Sequence, residues 1–267
     1  MKQLKDCKVL LLGASGGIGS AIARQLARRG VALTLVGRQR ETLDILASEL
    51  AAEGAAVSIM TGDLTTEAVA LAIRAITASG RIDMLINCAG VQNFGFSSDE
   101  AAADTARLFA TNVIGPIQLT NALLPHMLAR GDGRIVNVGS IFGSIAFPCF
   151  ASYSASKFAL RGFSEALRRE LVDTGISVNY IAPRYTSTAF NREAVARMAV
   201  ALKMPQDSPD DVARQVISAI ENERGDSYLG WPEKLFVRLN AILPRLVDPS
   251  LMKQVALMRP FTRGNAH

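Results

Sequence analysis

The sequence predicts an α/β protein, a doubly wound parallel sheet in a single domain, and three observations carry that expectation. Short apolar runs alternate with longer helical patterns almost from end to end, the βαβα order that places helices on both faces of a parallel sheet. The runs lack polar–apolar alternation, as strands covered on both sides do. A chain of 267 residues, 49% hydrophobic and 20% charged, suits one globular domain with a sizeable core.

In chain order the candidate strands are "KVLLLGA" (8–14), "ALTLVGR" (32–38), "AVSIMTGD" (56–63), "MLINCAG" (84–90), "GRIVNVGS" (133–140) and "ISVNYIAP" (176–183). A seventh lies near "SYLG". Helical patterns run over 18–29, 41–53, 66–78, 102–128 and 154–174. There is no internal repeat, low-complexity tract or obvious linker. The expected organisation is one main domain over 1–230, with a variable loop at about 184–209. A C-terminal helical appendage, amphipathic and basic, follows over 231–267.

Composition removes several kinds of chemistry. Cys7, Cys88 and Cys149 are odd in number and show no paired spacing, which argues against a disulfide framework or a thiolate metal site. Only His126 and His267 are present, so Ser-His-Asp catalysis and His-rich metal sites are poorly supplied, and no metal is expected. Much of the net charge of +5 comes from the tail, where Lys234, Arg238, Arg245, Lys253, Arg259 and Arg263 face only Glu233 and Asp248. Apolar residues interrupt these bases, unlike a nucleic-acid-binding stripe. The apolar run at Val9–Leu12 is too short for the core of a signal peptide, and no stretch approaches a transmembrane length. The cytoplasm is the expected compartment.

The stretch "LLGASGGIGSAIA" puts Gly13, Gly17 and Gly19 at the junction of the first strand and first helix. Glycine permits a tight turn and close backbone approach, and the helix N-terminus offers free N–H groups to a pyrophosphate. Helix–strand packing alone would also account for such a turn, but its place after a strand and before a helix favours a dinucleotide. The second strand ends in Gly37-Arg38. An acidic residue would accept from a ribose 2′-OH at that position. Gly37 repels nothing, and Arg38, unless it is only a solvated loop cation, can pair with a 2′-phosphate. NADP(H) is therefore favoured over NAD(H).

The wide glycine spacing is one of six ordered motifs through which the chain, over roughly residues 6–230, resembles the short-chain dehydrogenase/reductase family. Its Gly-rich turn matches "GASGGIG", and its "NNAG" appears as "NCAG" at 87–90. The Asp closing the third strand matches Asp63, its active-site Asn matches Asn112 in "TNVIG", and its Ser matches Ser140 in "VNVGS". Its Tyr-x-x-x-Lys is "YSASK", with Tyr153 thirteen residues beyond that Ser. The resemblance implies a Rossmann-like fold and catalysis by Asn112, Ser140, Tyr153 and Lys157. It implies cofactor contacts from Gly13, Ser15, Gly16, Gly17, Ile18 and Gly19, from Asp63 and Leu64, from Asn87, Ala89 and Gly90, and from Tyr153, Lys157, Pro183 and Thr188. Three positions depart from the family pattern: Leu12 stands for a Thr, Cys88 for the second Asn, and Arg184 for the Gly after Pro183.

Tyr153 and Lys157 are four apart and share a helical face. A phenol's reference pKa of about 10 lies far from neutrality, and lowering it by about three units takes roughly 4 kcal/mol. An ammonium about 4 Å away, in an effective dielectric near 20, supplies an interaction of about that size. Lys157 is accordingly expected to lower the Tyr153 phenol, and by resemblance to hold the nicotinamide ribose. By the same resemblance Ser140 polarises a substrate carbonyl and Asn112 holds a water that relays protons to Lys157. Read from their residue types alone, Ser140 could equally cap the next segment and Asn112 could bond backbone.

The expected reaction is carbonyl–alcohol interconversion; a non-catalytic NADP(H)-binding regulatory or scaffold protein is the alternative. Phe142, Phe147, Phe150, Tyr185 and Phe190 suggest an apolar or acyl-type substrate, although core packing explains each as well. Arg184 could recognise a carboxylate or phosphate. A homodimer or homotetramer is implied by resemblance. The tail reads as a subunit or lid element in preference to a peripheral membrane contact.

Overall fold

The apolar runs become one seven-stranded, wholly parallel sheet in a computed structural model that describes residues 4–223 and 225–262. Its strands are β1 (Lys8–Leu12), β2 (Ala32–Gly37), β3 (Val57–Thr61), β4 (Met84–Asn87), β5 (Gly133–Val138), β6 (Ile176–Ala182) and β7 (Asp226–Tyr228). They lie in the order β3-β2-β1-β4-β5-β6-β7. The winding reverses between β1 and β4, which opens a crevice at the carboxyl ends of the strands.

Successive side chains of a strand point to opposite faces. Leu11 and Ile86 therefore enter one core layer with Ile22 and Leu26 of α1 (Gly17–Ala27), Leu46 of α2 (Arg40–Ala52) and Ile217 of α8 (Pro209–Glu221). Leu10 and Leu85 enter the other, with Leu71 of α3 (Leu64–Ser79), Leu123 of α5 (Gly115–Arg130) and Leu167 of α6 (Ala151–Glu170). The sheet is covered on both faces, as its unalternating strands require.

Several expected boundaries move. The first six strands each stop one to three residues short of their expected ends, and the trimmed residues lie at the carboxyl edge. Asp63 does not close β3 but caps α3, accepting from the Thr65 backbone N–H at 2.8 Å. The single helix expected over 102–128 is three pieces: α4 (Ala102–Phe109), a π turn (Ala110–Ile114) and α5. Pro116 has no N–H to give to Asn112 one α-helical turn back, so an unbroken helix would lose a bond here. The loop expected at 184–209 contains α7 (Glu193–Ala201).

The C-terminal segment forms α9 (Glu233–Ile242) and α10 (Pro244–Thr262), packed on each other, with α10 also on α7. Met258 of α10 is buried in the cluster that holds Tyr153, Val195 and Met198. Arg263 and His267, named above, lie outside the described residues. Among the described residues no helix is long and apolar enough to cross a membrane.

A buried polar chain ties the middle of the sheet to its helices. Asn87 Nδ2 donates to Asn137 Oδ1 at 2.7 Å, Asn137 Nδ2 to Ser164 Oγ at 2.8 Å, and Ser164 Oγ to the Leu160 carbonyl at 2.7 Å. Removing a member strands desolvated donors. Asn137→Ala is expected to cost about 2 kcal/mol and lower Tm by roughly 4–8 °C in a thermal circular-dichroism scan; an unchanged Tm would contradict this account of the network.

Candidate active site

The cleft at the carboxyl edge, about 360 Å³, runs from the Gly-rich turn past Arg38 and Asp63 to Ser140, Tyr153 and Lys157, and on to Met198 and Met204. At its near end Gly13 has φ +73, and a Cβ there would sit 2.7 Å from the Ala89 backbone. Only glycine lets the turn rest on that loop. The contact is backbone to backbone, so Leu12 is free to bury in the core. Gly16 caps α1 without a side-chain bond, and no acidic residue occupies the first turn. Gly16, Gly17, Ile18 and Gly19 line the cleft, leaving the first N–H groups of α1 to accept an anion. Thr188 closes over them, its Cγ2 only 2.5 Å from where a Cβ on Gly17 would lie.

Arg38 is exposed at the rim and makes no hydrogen bond or ion pair among the described residues. The Thr65 backbone N–H, then the Thr65 hydroxyl, hold the Asp63 carboxyl below its usual range, and Arg38 adds a smaller pull. The donor set therefore fits a dinucleotide: bare N–H groups for a pyrophosphate, an unpaired guanidinium at the second strand, and a carboxylate beyond it.

At the far end α6 presents Tyr153 and Lys157 inward, 7% and 4% exposed. Lys157 Nζ stands 5.7 Å from the Tyr153 ring centroid and 3.6 Å from the position of a Cβ on Gly90. The Tyr153 hydroxyl and the Ser140 side chain line the same cleft. Burial pushes the Tyr153 phenol up, well above its ordinary value, with Ser140 pulling the other way. Burial pushes Lys157 down to about 8, against the opposing influence of Cys88. This corrects the expectation that Lys157 lowers the phenol. With both groups buried and no carboxylate paired to the ammonium among the described residues, desolvation is the dominant cause for each. Cys88, also at this corner, has its thiol raised to about 12 by burial.

Ser140 follows β5 and opens a 3₁₀ turn (Ile141–Gly143), its Oγ accepting from the Phe142 N–H at 3.1 Å. Its backbone is clasped by Tyr180 of β6, whose hydroxyl donates to the Ser140 carbonyl at 3.1 Å and accepts from the Ser140 N–H at 3.4 Å. Sequence reasoning missed Tyr180. The available signal was the pair Gly139 and Gly143: a Cβ at either would come within 2.4 Å of the Tyr180 side chain.

Asn112 sits in the π turn and is fully buried. Its Oδ1 accepts from the Val91 N–H at 2.9 Å, and Nδ2 donates to the Val91 carbonyl at 2.9 Å and to Ser156 Oγ at 3.1 Å. Both amide hydrogens are thus spent on protein, so the side chain joins the "NCAG" loop to α6 and has no N–H left for a water. Asn87 is likewise not at the cleft; its side chain is used inside the sheet. Phe147 stacks behind Phe142, centroids 4.9 Å apart, while Phe142, Phe150, Tyr185 and Phe190 line the cavity with Leu64, Pro183 and Ala89.

Arg184 lines the cleft, but its guanidinium is already taken. It binds Asp207 through both carboxylate oxygens at 2.7 and 2.9 Å, and Glu233 at 3.1 Å. The expectation of a substrate anion at Arg184 is corrected accordingly: the residue pins the 184–209 segment to α9. Gly230 makes room for it, since a Cβ there would lie 2.6 Å from Arg184 Cδ. No group of His, Cys, Asp and Glu that could hold a metal occurs among the described residues.

A parallel sheet with this strand order, a bare glycine turn and a Ser-Tyr-Lys constellation in one cleft define an enzyme-like dinucleotide fold. The family model for short chain dehydrogenases matches residues 8–199. An uncharacterized oxidoreductase, YxnA, of Bacillus subtilis is 34% identical over 95% of this chain and 73% of its own. The ketoacyl reductase HetN of Nostoc is 34% identical over 93% and 89%. A short-chain dehydrogenase/reductase from Burkholderia phymatum, solved in complex with NAD, superposes with a TM-score of 0.84 at 26% identity, covering 92% of this chain and 96% of that one. The chain belongs to the short-chain dehydrogenase/reductase family of oxidoreductases.

Lys157 carries a pH signature. In the unfolded chain a lysine titrates at about 10.4 and here at about 8, so between these values the unfolded state binds more protons and native stability rises with pH. Without cofactor, Lys157→Met is expected to be more stable than the parent at pH 7, by on the order of 3 kcal/mol. In denaturant titrations that difference should shrink towards pH 10; a gap independent of pH would contradict the assignment.

Proposed function

We propose that the protein is an NADPH-dependent oxidoreductase that interconverts a carbonyl group and a secondary alcohol, acting on an apolar or acyl-type compound in the cytoplasm. The observation that carries this reading is the Tyr153 phenol, beside buried Lys157 and in one cleft with Ser140 and the bare N-terminus of α1. The neighbour from Burkholderia phymatum holds NAD, and a putative gluconate 5-dehydrogenase from Beutenbergia cavernae (TM-score 0.77, 28% identity, covering 85% of this chain and 95% of that one) holds NADP. Those complexes support a nicotinamide dinucleotide here. Unpaired Arg38, with no acidic residue at the end of β2, favours the 2′-phosphate form.

A reduced nicotinamide held in this cleft would supply the hydride that the carbonyl carbon takes up. Ser140 Oγ, which already accepts from Phe142, has its own proton free to bond the carbonyl oxygen. Burial keeps the Tyr153 phenol protonated through the neutral range, the form able to give its proton to that oxygen as it becomes an alkoxide. The phenolate left behind is countered by the Lys157 ammonium. Asn112, through Ser156 and its 2.7 Å bond to the Tyr153 carbonyl, sets where α6 holds the phenol. Phe142, Phe150, Phe190, Val195 and Met198 make the far wall apolar, and a relative named as a ketoacyl reductase agrees with an acyl chain there. A homodimer or homotetramer belongs to the same reading.

The test is a panel of apolar ketones and 3-ketoacyl thioesters, run in parallel with NADPH and NADH. NADPH oxidation is expected on some members, with at least tenfold preference over NADH that Arg38→Ala removes. Tyr153→Phe should lower kcat by at least 10³-fold while NADPH still binds. Cofactor binding with no turnover on any member, or full activity of Tyr153→Phe, would overturn the proposal.

A further inference from the structure

Exposed large apolar side chains are concentrated at the C-terminal end of this protein. Of seventeen among the described residues, eight fall between Trp231 and Leu257, a stretch of about a tenth of the sequence. Trp231 is 68% exposed, Ile242 77% and Leu246 64%. On α9, Leu235 and Ile242 stand seven residues apart with Arg238 between them, all exposed and on one face, opposite buried Val237. At the corner into α10, Ile242, Leu243, Arg245 and Leu246 are exposed in close succession. Lys234, Arg238, Arg245 and Lys253 are exposed as well, and none makes an ion pair among the described residues. Of the two acids in this segment, Glu233 is consumed by Arg184, which leaves Asp248 as the exposed one.

This combination selects its partner. A soluble protein hides apolar patches of this extent unless they bind something. A second copy docked face to face would set the same four cations against themselves, because a two-fold interface pairs a patch with itself. Nucleic acid would complement the charge and waste the aliphatic side chains. An anionic bilayer satisfies both: Trp, Phe, Leu and Ile enter the headgroup boundary while Lys and Arg extend to the phosphates.

We propose that the α9–α10 corner is a peripheral docking surface for anionic membranes. The inner side of the same element packs behind the cleft, since Met258 lies in the cluster with Tyr153 and Met198. Docking therefore holds the apolar cleft about one helix diameter, ~10 Å, from lipid.

The chain carries its own reporter, because Trp231 is its one tryptophan. The full-length protein is titrated with vesicles of phosphatidylcholine alone and with 30% phosphatidylserine. With serine lipid at low salt, Trp231 emission should shift to the blue and the protein should sediment with vesicles, both effects falling steeply at high salt. Ile242→Glu/Leu246→Glu and Lys234→Glu/Arg245→Glu, at exposed positions outside the cleft, should each weaken binding at least tenfold with unchanged circular dichroism. Absence of a shift and of co-sedimentation would overturn the proposal. So would a loss of oligomeric state in Ile242→Glu/Leu246→Glu by light scattering, which would assign the face to a second copy.

Discussion

Two ionisable side chains buried against one another, with no carboxylate among the described residues to balance them, are the constraint around which the site is arranged. Tyr153 and Lys157 lie one turn apart on α6, and burial drives each toward its neutral form. A buried cation without a partner costs stability, so its retention needs a compensating role elsewhere. A ligand bearing hydroxyls and phosphate in the cleft beside it would supply one.

Much of the surrounding structure serves to hold that pair at a fixed place. Asn112 binds both polar groups of Val91 and reaches Ser156 on α6. Tyr180 clasps the backbone of Ser140 from the next strand. The Arg184–Asp207–Glu233 cluster anchors the segment that closes the cleft to the helices behind it. Each of these links joins elements distant in sequence, so the geometry at the phenol depends on the packing of the whole carboxyl edge.

The sheet was legible because its strands are apolar, short and regularly interrupted. The site was legible because its motifs occur in order at informative spacings. What stayed hidden has physical reasons. The π turn was signalled by Gly115-Pro116, but helical periodicity runs through it and masks the break. Helix α8 was signalled by Ser208-Pro209-Asp210-Asp211, a capping residue, a helix-starting Pro and two acids in the first turn, yet it lay beside a stretch expected to be loop. Arg184 and Asn87 look like ligand contacts by residue type; their partners, Asp207 and Asn137, are 23 and 50 residues away. Pairing at that separation is a property of the fold and leaves no local trace.

The central claim is that the phenol is held protonated by burial until a cationic cofactor shares its cleft. The direct measurement is the ultraviolet ionisation spectrum of Tyr153, isolated as the difference between the parent and Tyr153→Phe, with and without saturating NADP⁺. The account predicts a phenol that titrates above pH 10 in the free protein and falls by at least two units when the oxidised cofactor is bound. The same titration point in both states would contradict it.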